Sequence, residues 1–197
     1  MPSLFIESLT NLETPYRNIH QDIVDGCKQH QRQAQNELYK LYSKAMYNIA
    51  YRITNNELDA EDVLQESFVS AFKNIAGYRG TASIGAWLKR IVINNSITAV
   101  KKRKVDFVPI EEQGEFPEWQ HQQDDDLLYL NVEKIRNAIQ LLPDGYRVVF
   151  SLYLMEGYDH KEIASILKIT ESTSKSQYNR SKKKLQKILK EEVFYDE

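Results

Sequence analysis

Between Lys168 and Lys190 the chain carries eight bases, Lys168, Lys175, Arg180, Lys182, Lys183, Lys184, Lys187 and Lys190, against one acid, Glu171. Ammonium and guanidinium groups at this density bind phosphate. The short polar side chains among them, in "ESTSKSQYNR", can hydrogen-bond the edges of bases. The same composition also occurs on solvated, lysine-rich surface helices. The run therefore takes its meaning from its setting. The 197-residue chain has a formal net charge of -2, so this positive charge is concentrated in place rather than general.

Charge alternates in blocks along the rest of the chain. Asn55 to Ala71 holds five acids (Glu57, Asp59, Glu61, Asp62, Glu66) and no base. Gly77 to Val105 holds seven bases (Arg79, Lys89, Arg90, Lys101, Lys102, Arg103, Lys104) and no acid. Asp106 to Asp126 holds eight acids and no base. An acidic helix face suits a basic protein partner, and a basic one suits a polyanion.

Other chemistries find little support. The four histidines, His20, His30, His121 and His160, lie near no second ligand at metal spacing, so no metal site is expected. The single cysteine, Cys27, has no evident histidine partner and cannot form an internal disulfide, which suits a reducing cytoplasm. No glycine-rich phosphate loop occurs, and the carboxylates cluster at solvent-facing helix positions. The expectation is a protein with no catalytic residues and no cofactor. The N-terminus lacks the basic start and apolar run of a signal peptide. No apolar run approaches the roughly 20 residues of a membrane span.

These residues need elements to position them, and the periodicity is helical throughout. Leu38, Leu41, Tyr42, Ala45, Met46, Ile49 and Ile53 form a stripe at three- and four-residue intervals. A second helix starts near Asn56 and buries Val63, Leu64, Phe68, Ala71, Phe72 and Ile75, leaving Asp59, Asp62, Glu66 and Lys73 on its other face. A third spans about Ser83–Lys101, with Trp87, Leu88 and Ile91 packed. Leu127–Leu141 is helical up to Pro143, and a helix from Asp144 stops near Gly157. Asp159 can cap a short helix containing Ile163, Ala164 and Leu167, and Thr170 can cap the last one. Two helices joined by "KIT" have the layout of a helix-turn-helix. No stretch alternates at period two, so strands are not expected.

The resulting expectation is an all-α protein of two small helical domains. Its parts are an N-terminal extension (1–19), a helical unit (20–104), an acidic linker (105–126) rich in turn signals, a second helical unit (127–192) and a C-terminal tail (193–197).

In this order the motifs resemble those of an extracytoplasmic-function sigma factor, a compact bacterial sigma factor with only the second and fourth sigma regions. "DAEDVLQESFVSAFKNI" is similar to the segment that docks on the clamp helices of RNA polymerase. "YRGTASIGAWLKRIVINNSITAVKKRK" is similar to the segment that melts promoters and reads the minus-ten element. "LLPDGYRVVFSLYLMEGYDHKEIASILKITESTSKSQYNRSKKKL" resembles the fourth region, which reads the minus-thirty-five element.

The resemblance implies a sigma factor that binds core RNA polymerase and directs promoter recognition, DNA opening and transcription initiation. Polymerase binding falls to Asp59, Asp62, Gln65 and Glu66. Minus-ten DNA falls to Arg79, Thr81, Ser83, Ile84, Lys89, Arg90, Asn94, Asn95, Lys101, Lys102, Arg103 and Lys104. Minus-thirty-five DNA falls to Ser172, Thr173, Lys175, Ser176, Gln177, Asn179, Arg180 and Lys183. The implied partners are core RNA polymerase, through its beta-prime clamp helices and beta flap, and promoter DNA. An anti-sigma factor or a second recruiting DNA-bound factor is a further partner the family admits. The implied location is cytoplasmic, without membrane insertion.

The chain departs from the family's pattern at four places. Ile84 stands where many members carry an aromatic, Thr98 where Asp or Asn is common, Lys168 at the usual turn glycine, and Ser174 at a usual apolar packing position. The last two lead to the expectation of a less firmly seated recognition helix. Two other readings stay open at this stage. One is a conventional DNA-binding regulator using only the helix-turn-helix, and the other is an interaction protein that binds polymerase without reading DNA.

Overall fold

The computed structural model describes residues 19–103 and 132–193. Eight α-helices carry these residues, and no strand occurs among them. The acidic linker 105–126, the N-terminal extension up to residue 18 and Lys104 lie outside the described residues.

By their contacts the described residues divide into two compact units, one running up to Ala50 and from Ala60 to Asn95, the other from Tyr51 to Asp59 and from Ser96 onward. The first unit contains α1 (Gln21–Lys28), most of α2 (Arg32–Thr54), α3 from Ala60 onward (α3 being Glu57–Asn74), a 3-10 turn at Ile75–Gly77, and α4 (Ile84–Lys102) up to Asn95. Its buried side chains include Val24, Leu38, Met46, Ile49, Val63, Leu64, Phe68, Ile84, Leu88 and Val92.

The tight α1–α2 corner requires Gly26. A Cβ there would sit 2.6 Å from that of Ala34. The buried stripe of α2 is narrower than its periodicity suggested. Leu41 and Ala45 are exposed, because the helix turns Leu38, Met46, Ile49 and Ile53 inward instead.

The second unit adds α5 (Val132–Gln140), α6 (Asp144–Phe150), a π-helical turn at Ser151–Met155, α7 (His160–Leu167) and α8 (Glu171–Val193). Ala138, Leu142, Phe150, Ile188 and Leu189 form one buried cluster in it, with Tyr146, Tyr178 and Leu185 packed on it, and Val148, Val149, Leu152, Ile163 and Leu167 are buried as well. α8 contacts α5, α6 and α7 and is the element around which the others assemble.

The guanidinium of Arg147 lies in this interior. Arg147 is 2% exposed, donates to the carbonyls of Leu142 and Ile53, and pairs with Asp144. A buried guanidinium is tolerable only with such a set of acceptors. Arg52 pairs with Glu156 at 2.6 Å, and Asn55 donates to the Gln140 carbonyl, so residues 51–55 belong to this unit's polar framework.

Two local signals read from the sequence appear as real caps. Asp159 accepts from the Glu162 N–H while Glu162 accepts from the Asp159 N–H, a complete capping box. Thr170 Oγ1 accepts from the Thr173 N–H at 3.0 Å.

Candidate nucleic-acid and protein interfaces

On α3, Asn56 Oδ1 accepts from the Asp59 N–H and starts the helix. Ala60, Val63, Leu64, Ser67, Phe68 and Ala71 are buried at helical spacing. The opposite side exposes Glu61, Asp62, Gln65 and Glu66, as their polarity dictates. Two apolar side chains flank these groups, Leu58 at 73% exposure and Val69 at 51%. Leu58, Asp62, Gln65 and Val69 follow one another at four-, three- and four-residue steps, a single stripe of the helix. Neither apolar member is among the residues expected there from the sequence, because apolar character points to a core. Asp59 is different. It is half-buried and pairs with Arg103, so its carboxylate is already engaged within the chain.

The loop before α4 and α4 itself hold the predicted minus-ten residues, and the structure divides them. Arg79 and Thr81 are exposed, beside Gly80 in the left-handed region at φ +72°. Tyr78 ties the loop by donating to the Ala82 carbonyl at 2.6 Å, and its ring lies 5.5 Å from that of Trp87. Ser83 Oγ accepts from the Ala86 N–H and caps α4. Ile84 is fully buried. It is a core residue rather than part of a base pocket, because it opens α4 on the inward side. Asn95 is also turned inward and donates to Ser67 Oγ at 2.9 Å. Its amide donates to a hydroxyl buried on α3, and the residue is half-buried.

The exposed line of α4 is Arg90, Asn94, Thr98 and Lys102, one residue every four, with Lys89 half-buried beside it. Thr98 thus joins a face to which the sequence reading did not assign it. Lys101 donates to the Leu167 carbonyl at 2.9 Å. Burial, then the charge of Lys168, hold its ammonium below the usual lysine range. Arg103 donates to the Thr54 carbonyl as well as pairing with Asp59.

On α8, Ser172, Lys175 and Asn179 are exposed, and Thr173, Ser176, Arg180 and Lys183 are half-buried. Ser172, Lys175, Ser176, Asn179 and Lys183 share one side of the helix by their spacing. Glu171 pairs with Lys175 at 2.7 Å. That hydrogen bond is the first cause holding its carboxyl below the ordinary range. Ser176 Oγ is bound back to the Thr173 carbonyl and Thr173 Oγ1 to Thr170 Oγ1.

Gln177 is 1% exposed, on the inward side with Ser174 and Ser181. It cannot read a base from that position, because its side chain is part of the seat of α8. Lys168 takes the left-handed conformation at φ 60°, ψ 47°, so the turn keeps its geometry without glycine. Ser174 is fully buried, with its hydroxyl 2.9 Å from His160 Nδ1. The position where an apolar residue is usual is filled by a polar contact.

Among the described residues, no group of three or more metal-ligating side chains is assembled, and no helix is long and apolar enough to cross a membrane. Cys27 is free and buried, and burial pushes its thiol up from the ordinary value.

Known proteins match the same two spans. The family model described as Sigma-70 region 2 matches residues 38–105 and that of Sigma-70, region 4, residues 132–185, together more than half of the chain. The chain is similar to the ECF RNA polymerase sigma factor SigW of Bacillus subtilis, 29% identical over 171 residues that cover 79% of this chain and 88% of that protein. It is also similar to the RNA polymerase sigma-H factor of Pseudomonas aeruginosa, 27% identical over 179 residues covering 86% and 93% of the two chains.

Its fold resembles that of the sigma factor RpoE, solved in complex with the anti-sigma factor NepR from Bartonella quintana. The TM-score is 0.52 at 22% identity, covering 79% of this chain and 96% of that one. CnrH, solved with the cytosolic domain of CnrY, gives a TM-score of 0.51 at 19% identity, covering 87% and 97%. The two regions in this order and the relatives that span them make the chain a member of the sigma-70 family, an extracytoplasmic-function sigma factor.

Proposed function

We propose that this sigma factor engages core RNA polymerase through the exposed side of α3 and reads promoter DNA with two surfaces, the outer line of α4 and the outer side of α8. The α8 face carries the reading. A capped helix follows a short helix across a left-handed turn and shows Ser172, Lys175, Ser176, Asn179 and Lys183 on the side opposite its buried residues. This is the presentation that a major groove requires, with short polar groups near the helix start and bases flanking them.

In this reading residues 20–104 form sigma region 2 and residues 127–192 sigma region 4, with 1–19, 105–126 and 193–197 as extension, connection and tail. Asp62, Gln65 and Glu66 meet the clamp helices, with Leu58 and Val69 as apolar anchors beside them. Region 4 meets the beta flap. Arg79, Thr81, Arg90, Asn94 and Lys102 approach the minus-ten strand, where phosphates need bases and an extruded base needs polar loop groups.

The protein works as a specificity subunit without catalytic chemistry of its own, in the cytoplasm where polymerase acts. RpoE was solved with an anti-sigma factor, and a partner of that kind is a candidate here. Run-off transcription with core polymerase, followed by sequencing of transcripts from genomic DNA, tests the reading. Defined starts that share upstream elements are expected. Polymerase binding without any start would leave an interaction protein, and absence of polymerase binding would leave a conventional regulator.

A further inference from the structure

His160 stands at a junction of three elements. It is the first residue of α7, held there by the Asp159–Glu162 capping box. Its ring stacks on Tyr153 of the π turn, with centroids 4.5 Å apart and planes 14° apart. It lies 5.7 Å from Tyr178 of α8, which is itself 4.4 Å from Tyr153. Its Nδ1 is 2.9 Å from the buried hydroxyl of Ser174, also on α8.

We propose that His160 is a positioning residue for promoter reading: the neutral ring joins the π turn, α7 and α8 into one node, and the seat of α8 against DNA depends on that node. The inference rests on α8 being the helix that reads the upstream element.

The surroundings favour the neutral ring. Burial, then the charge of Lys175, hold His160 below the ordinary imidazole value, with a smaller contribution from Lys182 in the same direction. Glu171 and Asp159 oppose them. Tyr153, Ser174 and Tyr178 bring no charge, and Lys182 lies over the far ring, 4.9 Å from the centroid of Tyr178. A cation at the first residue of α7 also faces the positive end of the helix dipole. A protonated ring carries hydrogens on both nitrogens, so the Ser174 hydroxyl can then only accept.

The sign follows from the depressed folded value. The stabilisation is complete above the unfolded imidazole value, about 6.5. It is lost as pH falls through the lower folded one.

The test uses full-length protein with core polymerase on the strongest promoter found by transcript sequencing, and on the same promoter with its upstream element scrambled. The ratio of transcripts from the two templates measures upstream reading and cancels the polymerase's own response to pH. For the wild type this ratio is expected to fall as pH is lowered from about 8 to about 5, with its midpoint below the ordinary imidazole value of about 6.5. His160→Asn, whose amide takes the place of Nδ1 without titrating, should keep a ratio that is flat over that interval. His160→Ala and Ser174→Ala should lower the ratio at both pH values. If His160→Ala does not fold, the comparison of wild type with His160→Asn decides alone.

A wild-type ratio above one that ignores pH overturns the inference, as does a His160→Asn protein that titrates like the wild type. A wild-type ratio of one at both pH values overturns the reading assigned to α8, and this inference with it.

Discussion

Asp59 of α3 and Arg103, just beyond α4, are paired with each other. By sequence one belonged to an acidic surface for protein and the other to a basic surface for DNA. Their pairing, with the bond from Arg103 to the Thr54 carbonyl, makes both part of the scaffold that joins the ends of α2, α3 and α4. The surface left for partners is correspondingly smaller and better defined.

Polymerase binding should therefore separate from Asp59. Reversing Asp62 and Glu66 together to lysine is expected to abolish pull-down of core polymerase while helix content by circular dichroism stays unchanged. Asp59→Asn should retain binding and cost at most about 1 kcal/mol of stability, the range of a partly exposed ion pair. Intact binding by the folded double reversal would place the docking surface elsewhere.

Two neighbours on α8 should behave oppositely. Asn179 is exposed, so Asn179→Ala should change preference at one promoter position, with a loss of discrimination of about 1–3 kcal/mol and little change in melting. Gln177 is buried, so Gln177→Ala should leave preference unaltered and lower stability by about 1–3 kcal/mol. Selection from randomised upstream elements, beside thermal melts of both variants, makes the comparison.

Lys183 is assigned a phosphate rather than a base. Lys183→Ala should weaken holoenzyme binding equally on matched and scrambled upstream elements, and reduce the slope of log affinity against log salt by about one unit. A change of sequence preference with an unchanged salt slope would reassign it to a base edge.

The turn between α7 and α8 offers a stabilising change. Lys168 holds a left-handed conformation that costs a non-glycine residue about 1 kcal/mol. Lys168→Gly should raise stability by roughly that amount, seen as a higher urea midpoint with an unchanged slope. A lower midpoint would mean that contacts of the lysine side chain outweigh the backbone strain.

What the sequence determined by itself is the local layer. Asp159 and Thr170 are read as caps because a cap bonds within three residues of itself. The helices are legible because buried positions recur at the period of the backbone. The left-handed turn at Lys168 is implied by the family resemblance, whose pattern has a glycine there, and the acidic and basic blocks are plain in composition.

Tertiary packing decided which members of each block remain at the surface. Asn95 meets Ser67 across 28 residues of sequence, Arg103 reaches Thr54 across 49, and Ser174 is matched to a histidine on another helix. Such pairings depend on the phase and separation of packed helices, which no single helix's periodicity contains. The same holds for Gln177, which resembles its polar, exposed neighbours in sequence but falls on the inward side once its helix is seated. It holds too for Leu58 and Val69, whose apolar character suggests a core although the rotation of α3 leaves them outside.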